Sequence, residues 1–355
     1  GFFFTDDAVL LSLNIGSADP LLQHQYSGGV TYRTDANFVG GNFFYSFNKY
    51  WPSIFVSFND FVVNYGDLFG TGQNFFEERT RAQAGVSMVA YKKGTHRLTP
   101  YYFFEHRSAQ VAIPPGAMLP PTLGNFSGFG FRYTYNRSFK PIGDISREGG
   151  PRVILDFQVS DAVLGSDEPN EQIIFSGDAR EYVALPLDGH VLAFRLAGGI
   201  TFGDRLLQGT FRLGSATGES IISGPTPRLF TLRGLPQITF AGERAVLLSG
   251  EYRFPLVYPQ RGAGTGPIFL KKLHMAIFAD YGSVFNGDID FNNFLLGVGA
   301  ELRADFTLFY GLPITGRLGY AIIVSGREFI QGLTDPITGA ALTNGALILE
   351  LGTSF

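Results

Sequence analysis

The chain contains no cysteine, one tryptophan and three methionines in 355 residues. Without cysteine it has no disulfide framework, no thiolate nucleophile and no thiolate metal ligand. That absence suits an outer-membrane or periplasmic setting and is equally compatible with the cytoplasm. Charge is also scarce. Asp, Glu, Lys and Arg together make up 16%, against about 25% in ordinary soluble domains. The formal net charge of −4 supplies no basic field, so a nucleic-acid partner is not expected. Long apolar runs are missing too. Mean hydropathy is +0.10, yet no stretch of about 18 apolar residues occurs, which excludes a membrane-spanning helix.

Glycine and aromatic side chains fill that space: 46 Gly, 36 Phe and 16 Tyr. They are arranged with period two. In 128–136, Phe129, Phe131, Tyr133 and Tyr135 face one way, and Gly128, Gly130, Arg132, Thr134 and Asn136 the other. In 191–203, Leu192, Phe194, Leu196 and Ile200 oppose Arg195, Gly199 and Thr201. Leu296, Val298, Ala300 and Leu302 oppose Gly297, Gly299, Glu301 and Arg303 in the same manner. Period two is the signature of strands with two unlike faces.

A soluble antiparallel sandwich would show that alternation, with the apolar face turned inward. A transmembrane barrel would show it as well, with the apolar face turned to lipid and the small and charged face to a polar lumen. Three features favour the barrel. The strands run 10–15 residues, beyond the usual 5–6, and match a tilted crossing. Aromatics reach 15%, as interfacial girdles require. Short connections (34–36, 92–95, 186–188) contrast with long ones (109–124, 203–240, 326–344), with 34–36 the one short piece assigned to the long-loop side. Fifteen strands are readable, and the leading Phe2-Phe3-Phe4 is expected to be the tail of a sixteenth lying mostly outside the sequence. The expected fold is all-β: one 16-stranded antiparallel transmembrane barrel domain over 1–355, with its C-terminus periplasmic and no POTRA-like domain within it.

The stretch 229–256 is the most informative. Ser249, Glu251 and Arg253 share one strand face, so that face must be wet or must provide a partner for each charge. Leu232-Arg233-Gly234-Leu235 stands in the long connection just before it.

This tetrapeptide resembles the Val-Arg-Gly-Phe/Tyr motif on the sixth surface loop of the BamA/TamA/FhaC superfamily, the bacterial surface antigen barrel. Gly250–Leu256 (GEYRFPL) is similar to that family's next strand, and Phe278–Phe285 (FADYGSVF), with Asp280 before Gly282, to the strand after it. The motifs keep the family's order. The resemblance implies that the loop folds into the lumen and that Arg233 docks on a wall formed by Asp280, Glu251, Arg253 and Gly282. Gly234 would allow a close backbone turn. Leu235 departs from the family's aromatic, which removes the stacking attributed to that position. Leu349, Leu351 and Phe355 resemble the C-terminal signal by which such barrels are recognised for insertion. The family's first and last strands form a seam that opens towards clients, and Gly352 would weaken pairing there.

No enzymatic reading competes. His24, His96, His106, His190 and His274 show no metal-ligand spacing, no Gly-x-Ser-x-Gly elbow is present, and Gly262–Gly266 is followed by no helix that could cradle phosphate. No cofactor and no metal are expected. The resemblance implies an outer-membrane barrel that inserts or assembles other outer-membrane proteins, or translocates a polypeptide. Its expected surroundings are outer-membrane lipid and lipopolysaccharide, with client polypeptides or periplasmic accessory domains as partners. A passive channel, or an anchor for a fused periplasmic domain, is the alternative.

Overall fold

The computed structural model describes residues 2–4, 9–65, 75–110, 122–141, 143–168, 170–206, 209–214, 228–235, 238–262, 264, 266–326 and 345–352, with the side chains of 2–4, 9, 10, 229, 238, 239 and 349–352 set aside. Sixteen staves follow the period-two segments. The first eight are β1 (Phe2–Phe4), β2 (Val9–Ala18), β3 (His24–Arg33), β4 (Phe38–Phe47), β5 (Ser53–Asn64), β6 (Phe76–Tyr91), β7 (Thr95–Ala109) and β8 (Gly124–Asn136). The second eight are β9 (Arg152–Ser160), β10 (Gln172–Ala184), β11 (Val191–Gly203), β12 (Arg244–Val257), β13 (Ile268–Phe285), β14 (Leu295–Leu308), β15 (Leu312–Ser325) and β16 (Gly345–Gly352). A two-residue piece, Arg261–Gly262, adds to the edge of β13. Each stave pairs antiparallel with the next, from Phe2↔Leu11 at the start to Thr315↔Gly352 at the end. β1 and β16 lie side by side, with Cα atoms within 8 Å. The sheet thus curls round on itself.

Burial is inverted relative to a soluble protein. Leu13 and Ile15 are each 69% exposed, and Phe129, Phe194, Leu196 and Ile277 are at least half exposed. Glu77, Glu105, Asp156, Asp280 and Glu301 are buried on the opposite face. An apolar outer band around a charged interior is what a lipid solvent selects. The sandwich alternative fails on this point, and the fold is a transmembrane barrel. Because Leu196 sits at mid-height of β11 on the outer face, Leu196→Arg is expected to destabilise the barrel by about 2–4 kcal/mol in a bilayer. Denaturant unfolding in phosphatidylcholine vesicles measures it. A loss below about 0.5 kcal/mol, the usual effect at a water-exposed site, would contradict a lipid-facing Leu196.

The connections alternate between two rims. At one rim lie the stave ends that flank 34–37, 65–75, 110–123, 161–171, 204–243, 286–294 and 326–344, so the short 34–37 turn does fall on the side of the long connections. The other rim carries mainly short turns, with one departure from expectation: 137–151. Its backbone pairs Phe139 with Gly149, and Gly149 bridges to Val183 of β10. Ile145 is buried, and the Lys272 ammonium of β13 donates to the carbonyls of Gly143 and Asp144. This segment folds inward.

The 204–243 connection also differs from a plain polar loop. Phe211–Gly214 forms a central strand, paired parallel with Leu229–Thr231 and antiparallel with Ile238–Gly242. Its apolar side chains have no lipid to face, so they pack on the inner wall. Phe211, Leu213, Phe230, Leu232 and Leu235 join Ala197, Ala245, Leu247, Leu295 and Ile323 in the largest buried cluster described.

Candidate functional site

The site is built on a turn and three staves. Leu232 to Leu235 form a tight turn in which the Leu235 amide donates to the Leu232 carbonyl at 3.4 Å. Gly234, third in the turn, has φ +101°, the left-handed region a type II turn requires there. Leu232 and Leu235 are fully buried in the apolar cluster and anchor the turn from both ends. Leu235 thus takes a packing role where an aromatic would stack. Arg233 projects from the apex.

Arg233 meets its wall as a fork. Its Nε donates to Asp280 Oδ2 and its Nη2 to Asp280 Oδ1, each at 2.7 Å, and its backbone N–H adds a bond of 3.1 Å to Oδ2. Two parallel N–H···O bonds are the strongest guanidinium–carboxylate arrangement. Nη1 reaches Glu251 Oε1 at 2.5 Å and Glu301 Oε1 at 3.5 Å. Asp280 and Glu301 side chains are 1% and 2% exposed, and Arg233 and Glu251 13%. Charges this dry persist only when paired.

Register explains the convergence. Ser249 of β12 faces Asp280 of β13, which faces Gly297 of β14; two residues along, Glu251 faces Phe278, which faces Gly299. Arg253 faces Ala276 and then Glu301. Even spacing on each stave puts all of these side chains on the inner face. The glycines are where the wall must be thin. A Cβ on Gly297 would stand 2.3 Å from the Arg233 carbonyl oxygen, and one on Gly299 2.6 Å from the Phe278 ring and 2.4 Å from the Tyr320 carbonyl oxygen. Phe278 lies under the guanidinium, 3.6 Å from it to the ring centroid. Phe278→Leu keeps the bulk and removes that face, so it should lower stability by about 0.5–2 kcal/mol, read from the denaturant midpoint. No change in the midpoint would show that the ring is mere filler.

Two further arginines complete the network. Arg253 Nε donates to Glu251 Oε2 at 2.7 Å, and Arg303 Nε to Glu301 Oε2 at 2.9 Å. Arg253 Nη1 then reaches Ser146 Oγ at 2.8 Å, so the infolded 137–151 segment is tied to the same wall. Sequence motifs point to Arg233, Asp280, Glu251 and Arg253, and the structure brings all four together. At Gly282 a Cβ would meet the Val246 carbonyl oxygen at 2.6 Å and Leu247 at 3.0 Å, so this glycine eases the packing of β13 on β12. The motifs do not point to Glu301, Arg303, Gly297 and Gly299, whose period-two face shows only that they turn inward, nor to Phe278 as the ring beneath the guanidinium. Leu349 and Leu351 lie in β16, whose side chains are described only as far as Ile348, and Phe355 lies outside the described residues.

The histidines take local partners. His24, His96 and His190 contact the hydroxyls of Tyr45, Tyr133 and Tyr252 at 2.9, 2.9 and 2.6 Å, all near the short-turn rim. His274 lies 3.7 Å from Asp305.

The class defined by these features is a sixteen-stranded transmembrane barrel whose long loop after the eleventh stave packs on its inner wall. That fold is shared with solved barrels. BamA from Haemophilus ducreyi lacking POTRA domains 1–3 superposes with TM-score 0.63 and 11% identity, over 99% of this chain and 69% of that one. CdiB from Escherichia coli gives 0.62 and 12%, over 99% and 61%. CdiB from Acinetobacter baumannii gives 0.60 and 14%, over 100% and 58%. The chain therefore spans about six tenths of the CdiB chains. No protein-family model and no curated protein sequence matches the chain.

Proposed function

We propose that the chain is an outer-membrane barrel of the BamA-like superfamily, with its C-terminus on the periplasmic side, that assists insertion of outer-membrane proteins or passes a polypeptide across. The observation that carries this reading is the Arg233 fork on Asp280, shared with Glu251. A barrel that only holds a pore open has no need of a loop pinned to its wall by a bidentate ion pair between β11 and β12. The likeness in fold to BamA and CdiB supports the same reading. In it, the docked turn braces the wall of β12 to β14, while the β1–β16 seam is the side that yields. The proposed partners are unfolded client strands, with lipid and lipopolysaccharide around the outer band.

Reconstitution tests this directly. Liposomes carrying the barrel should insert an added unfolded outer-membrane client several-fold faster than empty liposomes, and Arg233→Glu should abolish the gain. Steady single-channel conductance without any gain in client insertion would instead identify a passive channel or a membrane anchor.

A further inference from the structure

Beside the Arg233 turn, and lining the same cavity, the inner face of β9, β10 and β11 carries an arrangement the proposed function does not use. Arg152, Arg180 and Arg195 stand directly abreast, Arg152↔Arg180 across one ladder and Arg180↔Arg195 across the next. Directly opposed residues on neighbouring strands hold their Cβ atoms about 4.5–5.5 Å apart, and like charges there are destabilising. One carboxylate serves the row. Asp178 accepts from Arg180 at 2.7 and 3.1 Å and from Arg195 at 2.8 Å. Among the described residues Arg152 has no ion-pair partner.

The row faces a cavity of about 500 Å³ inside the barrel, the size of a small-molecule site. Among the described residues, nine cationic side chains line it against four carboxylates. Those four, Glu251, Asp280, Glu301 and Asp305, already hold Arg233, Arg253, Arg303 and Lys272. Glu148 of the infolded segment groups with Asp144 and Asp188, and none of these three lines the cavity. A surplus of fixed positive charge in a confined lumen draws counter-anions.

We propose that the Arg152–Arg180–Arg195 row binds an oxyanion of the phosphate class. Guanidinium forks match phosphate and carboxylate oxygens alike. A tetrahedral oxyanion offers a separate oxygen to each of three guanidinium groups, whereas a carboxylate must share its two, as Glu251 does among Arg233, Arg253 and Arg303. The group is either free phosphate or the phosphate of a lipid headgroup. The row lies outside the Arg233 contacts, so the proposal stands or falls separately from client insertion.

The test is calorimetric titration of the whole barrel in an uncharged, phosphate-free detergent at constant ionic strength. The probes are inorganic phosphate and a short-chain phosphatidylglycerol, with chloride as control. One probe should bind with one-to-one stoichiometry: phosphate if the source is the free ion, the lipid if it is a headgroup. Arg152→Gln should weaken that binding roughly ten- to hundredfold, since a hydrogen bond to a charged group contributes roughly 1.5–3 kcal/mol and about 1.4 kcal/mol is a factor of ten. Arg152→Lys, which keeps the charge, should retain part of the affinity and guards against a folding defect in the glutamine variant. Binding of neither probe beyond the chloride response, or equal binding by wild type and Arg152→Gln, overturns the proposal.

Discussion

Arg233→Glu is expected to lower the stability of the assembled barrel by about 3–5 kcal/mol, the cost of breaking a buried ion pair, and to abolish client insertion. The energy resides mainly in Asp280. Glu251 keeps Arg253 at 2.7 Å and Glu301 keeps Arg303 at 2.9 Å when Arg233 is lost. The side-chain hydrogen bonds described for Asp280 all come from Arg233, and its carboxylate is 1% exposed. A glutamate at 233 adds a fourth carboxylate to that group. Reversal is therefore worse than neutralisation, and Arg233→Gln should fall between it and the wild type. Denaturant midpoints in vesicles give the stability term and the liposome assay gives the functional one.

The exchange Arg233→Glu with Asp280→Arg should recover part of both. The pair is restored in sign, and Arg at 280 would stand within reach of Glu251 across the strand. Recovery is incomplete because the Phe278 ring loses its cation and the 233 backbone N–H loses its carboxylate acceptor. If the single reversal retained wild-type insertion, Arg233 would have no part in the activity. If the exchange were no better than the single change, the Asp280 pairing would be incidental to it.

The fold was legible because lipid and lumen alternate along every stave with the same period as the side chains. Leu196 and Arg195 need no partner strand to reveal their faces. The pairing of Arg233 with Asp280 was legible for another reason: each sits in a short motif, and the motifs follow one another in a known order. Glu301 and Gly297 were not, because contact between staves depends on register. Nothing in the string 296–303 says which of its inward positions lies level with Asp280. The sheet of Phe211–Gly214, Leu229–Thr231 and Ile238–Gly242 was hidden as well. Its short apolar pieces read as irregular until the inner wall of Leu247, Leu295 and Ile323 is there to cover them. The infolded 137–151 segment left even less trace, since one buried isoleucine and hydrogen bonds to backbone carbonyls and to Ser146 hold it in place.

Gly297→Leu separates docking of the turn from its chemistry, since it alters none of the charged groups. Any Cβ at 297 falls 2.3 Å from the Arg233 carbonyl oxygen and 3.2 Å from a Leu232 methyl. The oxygen belongs to a backbone already fixed by Asp280 on one side and the apolar cluster on the other. Either the turn leaves the wall or β14 is displaced. Overpacking of this kind costs about 1–3 kcal/mol, which at about 1.4 kcal/mol per factor of ten raises the undocked population roughly five- to hundredfold. Arg233 itself reports the change, because trypsin cuts after arginine only when the chain can enter its cleft. With opening faster than cleavage, the rate of cutting tracks the open population. Cleavage between Arg233 and Gly234, followed by mass spectrometry on the membrane-embedded barrel, should therefore accelerate by that factor in Gly297→Leu. Gly250→Ala is the matched control: it lies one stave away from β13 on the outer face, where a Cβ meets only Phe194, at 4.0 Å, and cutting should stay at the wild-type rate. Equal protection of Arg233 in wild type and Gly297→Leu would mean that β14 yields and the turn stays, and the grip on Asp280 would then outweigh the overlap at Gly297.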